Sequence, residues 1–253
     1  MTDIEKRDVQ KVLQLRSDIS PFLVHLTRNT DSRHSARRNL GNILRSMTLK
    51  YGTGRPISDA SYGVQYFALP KKTRLTYFSA VSFTEAPIGE IHNLLEIEGR
   101  QVNLEPYGLV FLKERLKSKG VSPVFCINNS RGNKDNCIRA LCSLMKTHKE
   151  EAAEILPFIS FFGRFLRPAY GGTTYRRKKD FLWEREWRYA SPDFRFRFKE
   201  KDVFIGLCPD NQIGGLESKF SWLKFIDPRR NMKWYAEKLI EANKRAGLKQ
   251  VMF

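Results

Sequence analysis

The residues best equipped to do chemistry lie in one heptapeptide, Trp183-Glu184-Arg185-Glu186-Trp187-Arg188-Tyr189, shortly after the basic cluster Arg176-Arg177-Lys178-Lys179. Read as a strand, the period of two puts Glu184, Glu186 and Arg188 on one face and Trp183, Arg185, Trp187 and Tyr189 on the other. Carboxylates side by side repel, so they require arginine partners, a bound ligand or a shared proton. Two uses of the pair follow. It could serve a bound ligand, or it could be an ion-pair ladder with Arg185, Arg188 or nearby lysines.

Two upstream groups could join it. His25-Leu26-Thr27-Arg28 carries a histidine in an apolar run, where such a residue is more often a satisfied structural group than a catalyst. Ser82-Phe83-Thr84 brings two hydroxyls to a strand end, where they could cap the following turn or orient a ligand and a carboxylate. Basic material flanks the glutamates: Arg176, Arg177, Lys178 and Lys179 before them, and Arg195-Phe196-Arg197-Phe198-Lys199, then Lys201, after them. A charge run is ordinarily a solvated face. The interleaved phenylalanines fit single-stranded nucleic acid, with cations for phosphates and rings for bases.

The elements that must position these residues can be read in order. Residues 1–20 form a polar helical lead-in ended by Pro21, and Phe22 to Thr27 has strand length. Ser35 caps a helix with Leu40, Ile43, Leu44 and Met47 at three- and four-residue steps. An aromatic segment between Asp59 and Lys72 holds Tyr62, Tyr66 and Phe67 without a clear period. Strands are expected over Leu75–Phe83, Gly108–Leu112 and Pro123–Ile127. Helices are expected over 135–148 and 150–165, the second kinked or divided at Pro157. Residues 168–179 read as a mobile loop. Strands over 203–207 and 222–226 precede a last helix over 231–246, with Trp234, Leu239 and Ile240 as core contacts and Gly247 as its stop. Strands and helices do not alternate as βαβ units, so the fold class is α+β, in one domain spanning 1–253.

The chain has 253 residues, 41% of them hydrophobic, with 18 phenylalanines, which is ample for a packed core. Its net charge of +18 and pI near 9.9 point to a polyanionic partner, nucleic acid ahead of a membrane surface. No run is long enough to span a bilayer, and the N-terminus lacks a secretory core, so a cytoplasmic protein is expected. Cys126, Cys137, Cys142 and Cys208 show neither metal nor disulfide spacing and read as small buried apolar residues.

The histidine strand followed by Asn39-Leu40 and Ile43-Leu44 resembles the opening of ADP-ribosyltransferase-like proteins, and, taken in order, Phe83-Thr84-Glu85 with Pro87, Tyr107-Gly108 with Phe111, Pro123-Val124, and Glu184-Arg185-Glu186-Trp187-Arg188 resemble the AbiGi family of abortive phage-resistance proteins. The resemblance runs from about residue 22 to 190, and through it the chain resembles ADP-ribosyltransferase-like toxins that modify nucleic acid. It implies a split β-sheet core with flanking helices, NAD as co-substrate and no metal. The implied roles are residue-specific. Glu186 would hold the ribose 2′-hydroxyl and stabilise an oxocarbenium-like ribose, and Glu184 would position or deprotonate the acceptor. His25 would bond the adenosine ribose, Ser82 would steady Glu186, and Thr84 would line the pocket with Thr27 and Phe83 nearby. Arg28 would meet the diphosphate, and Tyr62, Tyr66, Phe67 or Tyr77 would stack on nicotinamide. The acceptor would be nucleic acid, RNA ahead of DNA, and the partner an antitoxin protein. A protein side chain as acceptor, or a catalytically silent nucleic-acid-binding protein or antitoxin of the same fold, are the alternatives.

Overall fold

The computed structural model describes residues 19–29, 34–51, 79–96, 104–128, 130, 135–168, 174–179 and 182–248. In chain order the strands are β1 (Phe22–Leu26), β2 (Thr48–Lys50), β3 (Val81–Glu85), β4 (Gly108–Leu112), β5 (Ser122–Pro123) and β6 (Phe125–Asn128). They continue with β7 (Ile159–Pro168), β8 (Thr174–Lys179), β9 (Glu186–Tyr189), β10 (Arg195–Arg197), β11 (Val203–Leu207) and β12 (Phe225–Ile226). The α-helices are α1 (Ala36–Ser46), α2 (Lys113–Lys117), α3 (Asn136–Thr147), α4 (Lys149–Ile155), α5 (Ile213–Lys219) and α6 (Ala236–Ala246). The α+β class is as expected. The chain groups into two compact units, one of Met1–Met47, Thr84–Ser118 and Phe198–Phe253, the other of Thr48–Phe83 and Lys119–Arg197.

The first unit is built on a mixed sheet. β1 lies antiparallel between β4 and the Thr84–Glu85 end of β3, β11 is antiparallel to β4, and β12 is parallel to β11. The runs Gly108-Leu-Val-Phe-Leu and Val203-Phe-Ile-Gly-Leu are buried at every position, as continuous apolar strands covered on both faces must be. Gly108 is required by close approach, because a β-carbon there would sit 2.3 Å from the His25 carbonyl oxygen. The Ser35 hydroxyl accepts from Arg38 N–H to open α1, which buries Leu40 and Leu44. α6 ends at Gly247 in the left-handed region, φ 69°. Leu239 is buried in α6 as expected, whereas Trp234 and Ile240 are exposed. That corrects the last-helix reading: Trp234 falls in the 3-10 turn Met232–Tyr235 before the helix, which breaks the period linking it to Leu239.

The second unit holds a three-stranded sheet in the order β6-β7-β8, β6 parallel and β8 antiparallel to β7, together with the pairs β2–β10 and β5–β9. Ile127, Ile138, Met145, Leu156, Ile159 and Phe161 form its core. Asp135 opens α3 by accepting from Cys137 and Ile138 N–H groups at 2.9 and 3.3 Å.

Two expectations are corrected here. The helix expected to 165 stops at the 3-10 turn Leu156–Phe158, and β7 follows, because the β-branched and aromatic residues after Pro157 find strand partners on both sides. The stretch expected as a loop up to Lys179 contains β8, the second arm of the hairpin. Gly163, at φ 109°, has room for no side chain: a β-carbon would meet Ser130 Oγ at 2.7 Å and Asn128 Oδ1 at 3.0 Å. Gly163→Ala is therefore expected to cost about 1–3 kcal/mol, read as a lowered thermal midpoint.

Candidate nucleic-acid interface and flanking sites

Period-two alternation builds the clearest surface. Arg195 stands opposite Lys50, Phe196 opposite Leu49, and Arg197 opposite Thr48. Lys50, Arg195 and Arg197 are exposed, while Leu49 and Phe196 are each 1% exposed. The Phe196 ring meets Phe83 edge-on at 5.5 Å and Tyr189 at 5.0 Å, and the Phe198 ring, also buried, meets Phe111 at 5.2 Å. The interleaved phenylalanines are thus core groups rather than base-stacking ones, because alternation on a half-buried strand turns every second residue inward. What faces outward is cationic.

The turn before β10 tempers that charge. The Asp193 carboxylate accepts from the Ser191 hydroxyl at 2.7 Å and from Arg195 N–H at 3.2 Å, and pairs with Arg197. These contacts, the Ser191 hydroxyl first, hold its pKa below the usual carboxylate range. Phe194 takes φ 56° and sets its ring edge-on to Tyr51 at 5.4 Å. In the β7–β8 hairpin the backbone register puts Arg164 opposite Lys178, Phe165 opposite Arg177 and Leu166 opposite Arg176. The side chains of Arg176, Arg177, Lys178 and Lys179 lie outside the described residues.

The heptapeptide from Trp183 to Tyr189 is only in part a strand. Leu182–Glu184 is a 3-10 turn, Arg185 adopts φ 42°, and β9 begins at Glu186. The left-handed residue breaks the alternation, so Glu184 does not continue the face of Glu186, contrary to expectation. Glu186 and Arg188 do share a face. Arg188 Nε donates to Glu186 Oε1 at 2.9 Å and Nη2 to Oε2 at 2.8 Å, while Nη1 donates to the carbonyls of Pro157 at 3.0 Å and Ile159 at 2.9 Å. Arg188 is 1% exposed and the Glu186 side chain 15%. This bidentate pair is the ion-pair use of the carboxylate, and it ties β9 to the turn leading into β7.

The other candidates divide between the units. His25, Thr27, Arg28 and Thr84 belong to the first, Ser82 and Phe83 to the second. Val24 pairs with Thr84, so His25, one residue on, projects to the opposite face of the sheet from Thr84. The Thr27 hydroxyl donates to the Ala36 carbonyl at 2.9 Å and lies 3.1 Å from that of Tyr107, which commits it to the backbone between β1 and α1. Phe83 is buried. His25, Arg28, Ser82 and Thr84 keep partly exposed side chains, so of the residues assigned to NAD these have the access a dinucleotide needs. Tyr62, Tyr66, Phe67 and Tyr77 lie outside the described residues. Cys126 and Cys137 are exposed and Cys142 half-buried, which corrects the expectation of four buried thiols; only Cys208 is buried, and burial first, then the charge of Asp227, pushes its pKa up to about 12.

A second polar site, in the first unit, was not foreseen. Asp227 is buried and accepts from the N–H groups of Asp210 and Arg229, each at 3.0 Å, and from Arg229 Nε at 2.9 Å and Nη2 at 2.7 Å. The signal that could have found it is Asp227-Pro228-Arg229-Arg230-Asn231, where an aspartate before proline bonds the backbone two residues on. Burial alone would raise the Asp227 pKa, but the Arg229 guanidinium and the two backbone N–H groups outweigh it and hold it below the ordinary value. A carboxylate depressed in the folded state contributes stability that is present above the unfolded pKa of about 3.9 and is lost as pH falls through the folded value. Asp227→Asn should therefore cost about 1.5–3 kcal/mol at pH 7. The gap to wild type should shrink below about pH 4, as thermal unfolding at pH 7 and pH 3 would register.

Among the described residues no group of three or more His, Cys, Asp or Glu side chains is arranged to hold a metal, and no helix is long and apolar enough to cross a membrane. No protein-family model, curated protein or solved structure matches the chain.

Proposed function

We propose that the chain binds nucleic acid through its second unit and grips phosphates rather than bases. The observation that carries this is the β2–β10 ribbon, with Lys50, Arg195 and Arg197 exposed on one face while Leu49 and Phe196 are buried on the other. The charge distribution supports it. The second unit holds 21 of the 45 lysines and arginines but only 9 of the 27 acids, so the basic surplus is concentrated there. Sequence-independent binding follows from a ribbon that turns Phe196 inward and its cations outward. The test is fluorescence anisotropy with labelled single- and double-stranded RNA and DNA at 50 and 200 mM salt. Affinity falling steeply with salt is expected, and no salt-dependent binding to any of the four would refute the reading.

A chemical step on the bound nucleic acid is a second reading, favoured by one observation. His25, Arg28, Ser82 and Thr84 keep partly exposed side chains, the access that the likeness to ADP-ribosyltransferases and AbiGi proteins requires of residues that would hold NAD. In this reading the chain is a cytoplasmic anti-phage toxin held by an antitoxin. NAD supplies the ADP-ribose, Glu186 stabilises the ribose cation, and Glu184 assists the acceptor. Labelled NAD incubated with RNA, DNA and protein pools separates the outcomes. Label on nucleic acid supports transfer, and label on protein redirects it to a side chain. No label and no nicotinamide release from folded protein leaves a binding protein or antitoxin.

A further inference from the structure

We infer that the first unit carries a nucleotide-binding pocket beside Trp234, separate from the cationic ribbon. A cavity of about 680 Å³ lined by Asp210, Gln212, Asp227, Arg229 and Arg230, with Pro209 and Asn211, meets the Trp234 ring through Arg230. Its volume is in the range of small-ligand sites.

Three features define what would fit. Gln212 Oε1 is buried without a hydrogen-bond partner, while the amide of the same side chain is engaged with the Tyr107 hydroxyl. That oxygen is enclosed, so a ligand N–H meets it only when the side chain turns toward the cavity, a turn that its unmet acceptor favours. Arg229 spends Nε and Nη2 on Asp227, and Arg230 sets Nη2 3.2 Å from Asp210. Each guanidinium is oriented by its carboxylate and is about half exposed, so it presents further N–H donors outward. Finally, Arg230 lies 5.3 Å over the indole of Trp234, which is 73% exposed. A large ring left so open, already stacked on one side by a cation, is a platform for another flat group.

The three requirements together are an N–H donor for an amide oxygen, an anion for guanidinium groups, and a planar ring. Inorganic phosphate and sugar phosphates lack the ring and the N–H. A nucleoside lacks the anion. A nucleotide with an exocyclic amine supplies all three, either free or as one residue of a strand. Asp210 and Asp227 limit the net positive charge of the pocket, which favours a ligand carrying donors as well as negative charge over a simple polyanion. The acid Tyr235 donates to, Asp210 Oδ1 at 2.8 Å, is thereby held in place on the pocket wall.

The experiment uses the full chain and follows tryptophan fluorescence during titration with AMP, adenosine, inorganic phosphate and a short oligo-dA. Saturable quenching by AMP near or below about 1 mM, with adenosine and phosphate each at least about tenfold weaker, is the expected result. Trp234→Phe should abolish most of the signal. Gln212→Leu should weaken AMP at least about tenfold when binding is read by equilibrium dialysis. Trp234 is exposed enough to replace without touching the core, so the test does not hang on a variant that fails to fold. Binding of AMP assigns a free nucleotide. Binding of oligo-dA alone, lost in Gln212→Leu and in Trp234→Ala, assigns a nucleotide within a strand. No saturable binding of either ligand, phosphate binding as tightly as AMP, or affinities untouched in both variants would overturn the proposal. Changing Lys50, Arg195 and Arg197 should leave AMP binding intact, so this pocket and the ribbon stand or fall separately.

Discussion

Arg188→Ala is expected to destabilise the second unit by about 3–5 kcal/mol, the largest single-residue effect foreseen. The guanidinium is almost wholly buried and uses all three nitrogens, two on Glu186 and one on the carbonyls of Pro157 and Ile159. Removing it leaves a carboxylate without its partner and two carbonyls without donors, besides a void the size of a long side chain. Denaturant unfolding measures the loss, and a cost under about 1 kcal/mol would mean that the pair holds nothing together. Arg188→Met with Glu186→Leu should be milder than Arg188→Ala, because both charges then go together. Glu186→Gln leaves the buried cation uncompensated and is itself expected to destabilise. Loss of NAD transfer in that variant counts as a catalytic effect only once the protein is shown to be folded.

The second large effect concerns affinity. Replacing Lys50, Arg195 and Arg197 together by glutamine should flatten the log–log salt dependence of nucleic-acid binding by about three and weaken binding on the order of 10²-fold near physiological salt. The fold should persist, since the three side chains are exposed and the inward Leu49 and Phe196 remain. Asp193→Asn should act in the opposite sense by removing the carboxylate paired with Arg197. An unchanged salt slope in the triple variant would move the interface off the ribbon, and neutralising Arg176, Arg177, Lys178 and Lys179 would then test the hairpin.

How far the sequence foretold this depends on where its signal was local. β1, β4 and β11 are apolar runs bounded by turn residues, and α1 and α3 carry Ser35 and Asp135 as caps, so all five were legible. Residues 159–168 were not, because a dense apolar run has no usable period and its identity rests on partners far along the chain. The glycine, tyrosine and basic residues of 168–179 read as loop, since the strand character of β8 rests on its pairing with β7. The site shows the same divide. Alternation at Glu186 and Arg188 correctly put them on one face, but the φ of Arg185 that excludes Glu184 from that face is invisible in residue types. Lys50 had no signal at all, since only its register opposite Arg195 makes it part of a surface.

The hairpin of β7 and β8 has a thermodynamic side of its own. Its register opposes Arg164 to Lys178, and like charges directly across an antiparallel pair oppose the pairing that brings them together. Whatever polyanion the hairpin meets is then also a folding ligand, and binding energy and hairpin stability become two readings of one linked equilibrium.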